Sequence, residues 1–255
     1  MSEPLLVIDR IDKNFGGVQA VKGLSFAIGR AEVVGLIGPN GSGKSTSVNL
    51  ISGTLPVSAG EIRFDGQSVK DLGINARVPL GLTRTFQTTS LFAEFTVLEQ
   101  VMTASHTSFT TSPFSAIWRS KSAMAEEAKQ RAKAQELLQF VGLADVADQL
   151  TSSISSAQQR LLMIASALAA DPKLVLLDEP AAGMVAKERK DLSRLIMGIR
   201  DRGIAVLVIE HHMGLIMEVC ERIVVLNFGQ KIAEGTPAEI RANPAVIDAY
   251  LGGAH

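Results

Sequence analysis

The chain has 255 residues, 46% of them hydrophobic and 20% charged, with a formal net charge of -1. That length suits one large domain or a core with a subdomain, and the near-neutral balance carries no overall mark of a nucleic-acid binder. A single cysteine, Cys220, excludes an intrachain disulfide and fits a reducing cytoplasm. Its apolar setting, "IMEVCERIVVL", predicts a buried thiol that fills space. The N-terminus, "MSEPLLVIDRIDKNF", has charges breaking its short apolar run, so it does not read as a secretory signal. No stretch approaches the roughly 20 apolar residues of a membrane helix. The expectation is a soluble protein, or one held at a membrane by something in it.

In chain order, "LLVI", "LSFAI" and "EVVGLIG" predict strands punctuated by glycines and charges. The third flows into "PNGSGKST" and then "SVNLISG": strand, glycine-rich loop, helix starting near Lys44. "GEIRFDG" predicts another strand. "TVLEQVMTAS" and "SAMAEEAKQRAKAQELLQFVGL" have helical spacing. The Ser/Thr-rich "HTSFTTSPFSAIWRS" between them reads as irregular, with Trp118 either a packing anchor or a partner contact. "LLMIASALAA" predicts an apolar helix, "KLVLLDE" a buried strand, "KERKDLSRLIMGIRDRG" a helix and "IAVLVIEHH" a strand. "RIVVLNFGQKIAEG" predicts two short strands around a Phe-Gly turn, and "TPAEIRANPAVIDAYLG" short closing helices. Strands alternating with helices argue for an α/β fold with a mainly parallel sheet, interrupted by a helical middle.

Gly38-Pro39-Asn40-Gly41-Ser42-Gly43-Lys44-Ser45-Thr46 fits G-x-x-x-x-G-K-[ST]. Its glycines let backbone N–H groups turn inward around phosphate oxygens, and the following helix adds its positive end. Lys44 can reach β- and γ-phosphates, and Ser45 can ligate Mg²⁺. Downstream, an aliphatic strand ends in Asp178 and Glu179: one acid for Mg²⁺, the next to polarise an attacking water as general base. His211 ends another aliphatic run and can touch a γ-phosphate, whereas His212 reads as merely exposed. Gln87, in "RTFQTTSLF", offers an amide that senses Mg²⁺ or the attacking water.

The order of P-loop, Gln87, a signature-like "ISSAQQR", Asp178-Glu179 and His211 resembles the ABC ATPases, the nucleotide-binding subunits of ABC transporters. More narrowly, "NFGGVQAVKGLSF", "RTFQTTSLFAEFTVLEQV", "LLDEPAAGM", "VIEHHM" and "EGTPAEIRANPAVIDAYLG" are similar to the ATP-binding subunits of bacterial branched-chain amino acid importers. Importers of urea and short amides have very similar ATPases. The resemblance implies a P-loop NTPase core (1–87 and 173–255) with an N-terminal antiparallel β subdomain. It also implies an inserted α-helical subdomain (88–172) carrying the signature-like loop. It implies ATP and Mg²⁺ as cofactors, Phe15 stacking on adenine, and Gln87 linking Mg²⁺ to a membrane partner. Asp178, Glu179 and His211 match the Walker B acid, the general base and the switch histidine. Two such domains would meet head to tail, each ATP lying between one P-loop and the other subunit's Ser155, Ala157 and Gln158. The second subunit would be a different ATPase or a copy of this chain. Two transmembrane permease subunits and, indirectly, a periplasmic binding protein would complete the assembly at the cytoplasmic face of the bacterial inner membrane. No nucleic-acid partner is expected.

Two loops depart from the family pattern. The usual Leu-Ser-Gly-Gly-Gln is here Ile154-Ser155-Ser156-Ala157-Gln158, and the usual Ala-Ala-Gly-Leu-Asn-Pro is Ala181-Ala182-Gly183-Met184-Val185-Ala186. Ser155-x-x-Gln158 is a capping-box pattern, so the helix N-terminus survives as an anion site. Ala157 keeps its N–H and adds a methyl group and a restricted φ. Two readings stand. The methyl is tolerated in a first helical turn, or it obstructs the partner's γ-phosphate and makes the pair asymmetric.

Overall fold

The computed structural model describes residues 3–85, 91–105 and 121–251. The expectations for Gln87, Trp118 and the irregular Ser/Thr-rich segment fall outside these residues. In chain order the elements are β1 (Leu6–Phe15), β2 (Val18–Ile28), β3 (Val33–Ile37), α1 (Lys44–Ser52), β4 (Ala59–Phe64), β5 (Gln67–Ser68), α2 (Ile74–Arg77) and β6 (Leu82–Arg84). Then follow α3 (Val97–Ala104), α4 (Lys121–Val141), α5 (Ser156–Leu168), β7 (Leu174–Asp178), α6 (Ala186–Asp201), β8 (Ala205–Ile209) and α7 (Met213–Val219). β9 (Arg222–Asn227), β10 (Gln230–Gly235), α8 (Pro237–Ala242) and α9 (Pro244–Leu251) close the chain. It divides into two compact units, Met1–Arg84 with Lys173–His255, and Thr85–Pro172.

The first unit holds two sheets. One is antiparallel, in the order β2-β1-β4-β5. β1 and β2 run well beyond the expected "LLVI" and "LSFAI", because register shifts after Ile8, Ile11 and Lys13 let polar residues interrupt the apolar alternation without ending the pairing. The other sheet has the order β10-β9-β3-β8-β7-β6, and every neighbouring pair is parallel except β10 with β9. β3, β7 and β8 read as continuous aliphatic runs because both faces of a parallel sheet are covered. Leu174, Leu176, Leu207 and Ile209 join a core with Phe26, Ile28, Leu50 and Ile51. The alternate residues Val175, Leu177, Val206 and Val208 are as deeply buried, on the opposite face.

Arg77 is the largest fully buried side chain of the described residues, 1% exposed. It donates to Leu50 O at 2.8 Å, Ile51 O at 2.6 Å and Leu72 O at 2.8 Å. The first two lie in the last turn of α1, where Leu50 O also accepts from Gly53 N at 3.2 Å, so a buried cation completes the cap at the C-terminus of the helix that opens with Lys44. Burial lowers its pKa to about 10, which leaves it charged at neutral pH. Cys220 is buried as expected, and desolvation pushes its thiol up to about 12.

The second unit packs α3, α4 and α5 against one another through Val97, Val101, Ala134, Leu138, Leu162 and Ile164. Thr96 and Glu99 form a reciprocal cap on α3: Thr96 Oγ1 accepts from Glu99 N at 3.2 Å, and Glu99 Oε2 from Thr96 N at 2.8 Å. Among the described residues no helix is long and apolar enough to cross a membrane.

Candidate functional site

Four adjacent parallel strands, β3, β8, β7 and β6, end on one edge of the central sheet. In open α/β sheets, ligands bind beyond the carboxyl ends of the strands. β3 releases the loop from Gly38 to Gly43, β7 ends in Asp178 with Glu179 next, β8 leads to Glu210 and His211, and β6 ends in Arg84.

The loop geometry explains its glycines. Gly38 has φ +152°, and a Cβ there would lie 2.2 Å from Leu226 O. Gly43, at the N-cap of α1, has φ +99° and a Cβ would lie 2.7 Å from Ala20 O. A Cβ would clash at both, so only glycine lets the chain turn this tightly, the backbone course with which such loops cradle a phosphate. The tip of the β9–β10 hairpin braces the loop from outside, with Gly229 N donating to Ser42 O at 3.0 Å. Lys44 folds over the cradle, its Nζ donating to Gly38 O at 2.7 Å and Pro39 O at 2.9 Å. Desolvation lowers its pKa, and the nearby Glu179 charge opposes that shift. Lys44 and Glu179 therefore feel each other across the strand ends. Ser45, on the first turn of α1, and Asn40 are exposed, and Thr46 is partly exposed.

Asp178 is not left to itself. Arg84 Nη2 donates to Asp178 Oδ2 at 2.7 Å, while its Nη1 donates to Asn49 Oδ1 at 2.7 Å and Ser52 Oγ at 3.3 Å. The ion pair is largely shielded, with side-chain exposures of 13% and 19%. Sequence reasoning passed over Arg84; a basic residue directly before the "TFQ" run was the available signal. Ser45 and Asp178 supply one hydroxyl and one carboxylate, the hard oxygen donors that suit Mg²⁺, which usually fills its shell from phosphates and water. The donor set fits that ion.

Glu179 is exposed and sits at φ +47°, a left-handed conformation uncommon outside glycine. Its N–H donates to Ile209 O at 2.8 Å, and its carbonyl accepts from Ala182 N at 3.2 Å. The expected strand "IAVLVIEHH" stops at Ile209. The reason is Glu210, 1% exposed, whose Oε2 accepts from His211 N at 2.9 Å and His212 N at 3.1 Å. Those N–H groups are turned to a side chain instead of a neighbouring strand. His211 thus stands beyond the strand, its side chain 65% exposed. His212 is not merely exposed: it is the N-cap of α7, its Nδ1 accepting from Leu215 N at 3.3 Å.

Phe15 ends β1 and is 47% exposed, with Lys13 Nζ 5.2 Å from its ring centroid. One face of the ring carries the cation and the remaining exposed surface is open to a flat base.

In the second unit, Ser155 is the N-cap of α5. Its Oγ accepts from Gln158 N at 3.2 Å, and Gln158 Oε1 accepts from Ser155 N at 2.9 Å. Ala157 is the second residue of that helix and has no positive φ. The restricted φ of alanine therefore costs nothing there, and its N–H is one of the first-turn donors without an intrahelical acceptor. Back in the first unit, Val185 is the N-cap of α6 and has no side-chain acceptor to offer, while Glu188 Oε2 accepts from Val185 N at 2.9 Å.

The family model described as "ABC transporter" matches residues 21–182, and one described as "Branched-chain amino acid ATP-binding cassette transporter" matches residues 230–255. The chain is 38% identical over 253 residues, 99% of each chain, to the high-affinity branched-chain amino acid transport ATP-binding protein BraF of Pseudomonas aeruginosa. It is equally similar, over the same span, to LivG of Escherichia coli, which carries the same description. The crystal structure of the ADP conformation of MJ1267, an ATP-binding cassette of an ABC transporter, superposes with a TM-score of 0.86 at 30% identity, covering 98% of this chain and all of that one. The chain belongs to the ABC transporter family and is an ABC-type ATPase, the ATP-binding subunit of such a transporter.

Proposed function

We propose that this subunit powers the import of branched-chain amino acids by hydrolysing ATP at the carboxyl edge of its central sheet. The observation that carries the reading is the convergence there of the Lys44 loop, Asp178-Glu179 and His211 on neighbouring parallel strands. The substrate class rests on the 38% identity to BraF and LivG across the full chain.

Phe15 stacks on adenine, and the backbone from Gly38 to Thr46 wraps the phosphates. Lys44 leaves its two carbonyl acceptors for the β- and γ-phosphates, whose charge replaces a weaker partner. Ser45, Asp178 and Gln87 would hold Mg²⁺, which would supply charge neutralisation on the transferred phosphoryl group. Arg84 keeps one carboxylate oxygen of Asp178 engaged and so orients the other. Glu179 draws the proton from the attacking water, and His211 holds the γ-phosphate in line.

Two subunits close head to tail, so that Ser155, Ala157 and Gln158 of one face the ATP of the other. The partner is a second ATPase subunit, either different or a copy of this chain. The helical Ala157 position keeps its donor in place, which supports the reading in which its methyl is tolerated over the one in which it obstructs the partner's γ-phosphate. Two transmembrane permease subunits dock on the pair at the cytoplasmic face of the inner membrane, and a periplasmic binding protein delivers the substrate. The decisive experiment is ATP hydrolysis and leucine uptake by the subunit reconstituted with its permeases. Glu179→Gln is expected to lower turnover about 10²–10⁴-fold with ATP still bound. Undiminished hydrolysis would remove Glu179 as the base, and urea uptake in place of leucine uptake would reassign the substrate.

A further inference from the structure

Glu210 lies one residue past β8 with its carboxylate fully buried, and His211 Nδ1 stands 3.7 Å from it. Among the described residues no lysine or arginine pairs with it, and a carboxylate buried in this way is costly unless backbone donors solvate it. Here three do. Oε1 accepts from Ala181 N at 2.8 Å, and Oε2 accepts from His211 N at 2.9 Å and His212 N at 3.1 Å.

These donors belong to two segments that each carry a reacting group. Ala181 is two residues after Glu179, and His211 is the γ-phosphate contact of the reading above, on which this inference rests. The Glu210 bridge and the Glu179 N–H to Ile209 O bond at 2.8 Å form two rungs between the segments, one on each side of the Glu179 side chain. Glu179 itself is in the left-handed region at φ +47°. Such a conformation persists where its surroundings over-determine it, and the rungs are what over-determine it here.

We infer that Glu210 is a positioning residue for ATP hydrolysis, holding the backbone of the general base and that of the switch histidine at a fixed separation through one shared carboxylate. The chemistry demands a carboxylate. Its two oxygens face only donors, so the amide of glutamine sets an N–H against an N–H at one end and releases either Ala181 or the His211–His212 pair. Aspartate keeps the charge but is one methylene too short to span both segments.

The test uses the full chain with its partner subunits, comparing Glu210→Gln, Glu210→Asp and Glu179→Gln in steady-state ATP hydrolysis, nucleotide binding and thermal unfolding. A displacement on the scale of an ångström costs about 100-fold in rate. Both Glu210 variants are therefore expected to lose on the order of 10–100-fold in kcat with KM for ATP nearly unchanged. If Glu210→Gln fails to fold, Glu210→Asp, which preserves the buried charge, carries the same expectation. A folded variant with wild-type kcat, or a loss confined to KM, overturns the inference while Glu179→Gln still abolishes turnover. Hydrolysis that survives Glu179→Gln overturns the underlying reading and this inference together.

Discussion

Val185 occupies the N-cap of α6 with φ −75° and ψ 168°, the extended backbone that a capping residue adopts. Its isopropyl group accepts no hydrogen bond, so only half of the reciprocal cap is made, by Glu188 Oε2 accepting from Val185 N at 2.9 Å. The perturbation is to supply the missing acceptor. Val185→Thr swaps one methyl for a hydroxyl at nearly constant shape, and Val185→Asn offers the better capping side chain. Val185 is 62% exposed, so little apolar burial is lost. A cap contributes about 0.5–2 kcal/mol, with Asn above Thr. For a chain of this size, about 1 kcal/mol corresponds to a rise of roughly 2–4 °C in Tm. The assay is thermal and urea unfolding of the purified subunit, with Val185→Ala as control and Ser155→Ala as the converse. Removal of the Ser155 cap from α5 should cost about 1 kcal/mol. The expected stability order is Asn, then Thr, then Val level with Ala. An alanine variant as stable as the asparagine variant would refute the assignment of Val185 as an uncapped N-cap.

Replacing Arg77 by methionine strands the carbonyls of Ile51 and Leu72 inside the core and leaves Leu50 O with only its bond from Gly53 N. A loss of about 3 kcal/mol or more is expected in urea unfolding, together with weaker nucleotide binding, because α1 loses its C-terminal anchor. A loss below about 1 kcal/mol would mean that water reaches those carbonyls. Acid stability is expected to hinge on Glu99 and Glu239, whose carboxyls are held below their ordinary range by donation from Thr96 and Thr236. Asp65 is lowered likewise by Lys173 and Arg30. For each, the folded-state pKa lies below the unfolded one, so the stabilisation is complete above about pH 4.3 and is lost as pH falls through the folded value. The Thr96→Ala and Thr236→Ala variants remove the hydroxyl donors but keep the larger backbone N–H contribution, so they should flatten that acid limb in part in a pH series of unfolding midpoints; an unchanged limb would rule the hydroxyls out as contributors.

What was legible in the sequence is what short-range physics writes there. The glycine-rich loop, the aliphatic run ending in Asp178-Glu179 and the Ser155-x-x-Gln158 cap each express a local rule: positive φ, two-sided burial, an orphan N–H seeking an oxygen. The fold class followed from strands alternating with helices. The three residues of β6 escaped because so short a strand has no periodicity and exists only through its pairing with β7. α7 escaped because its cap is His212, a residue type without strong capping preference. The end of β8 was misplaced because an apolar run does not reveal that the next carboxylate turns back on its own following N–H groups.

The sequence by itself determined which residues can hold phosphates, donate oxygens to a cation and take a proton. It also confined the alternatives at Ala157 to two. The tertiary structure alone decided that Arg84 lies against Asp178 across 94 positions of chain. It alone decided, too, that Glu210 joins the segment after Glu179 to the backbone of His211 across 29 positions. Local rules act over three or four residues along the chain, whereas these bonds arise where parallel strands bring distant segments to the same edge. No spacing in the sequence encodes such a distance.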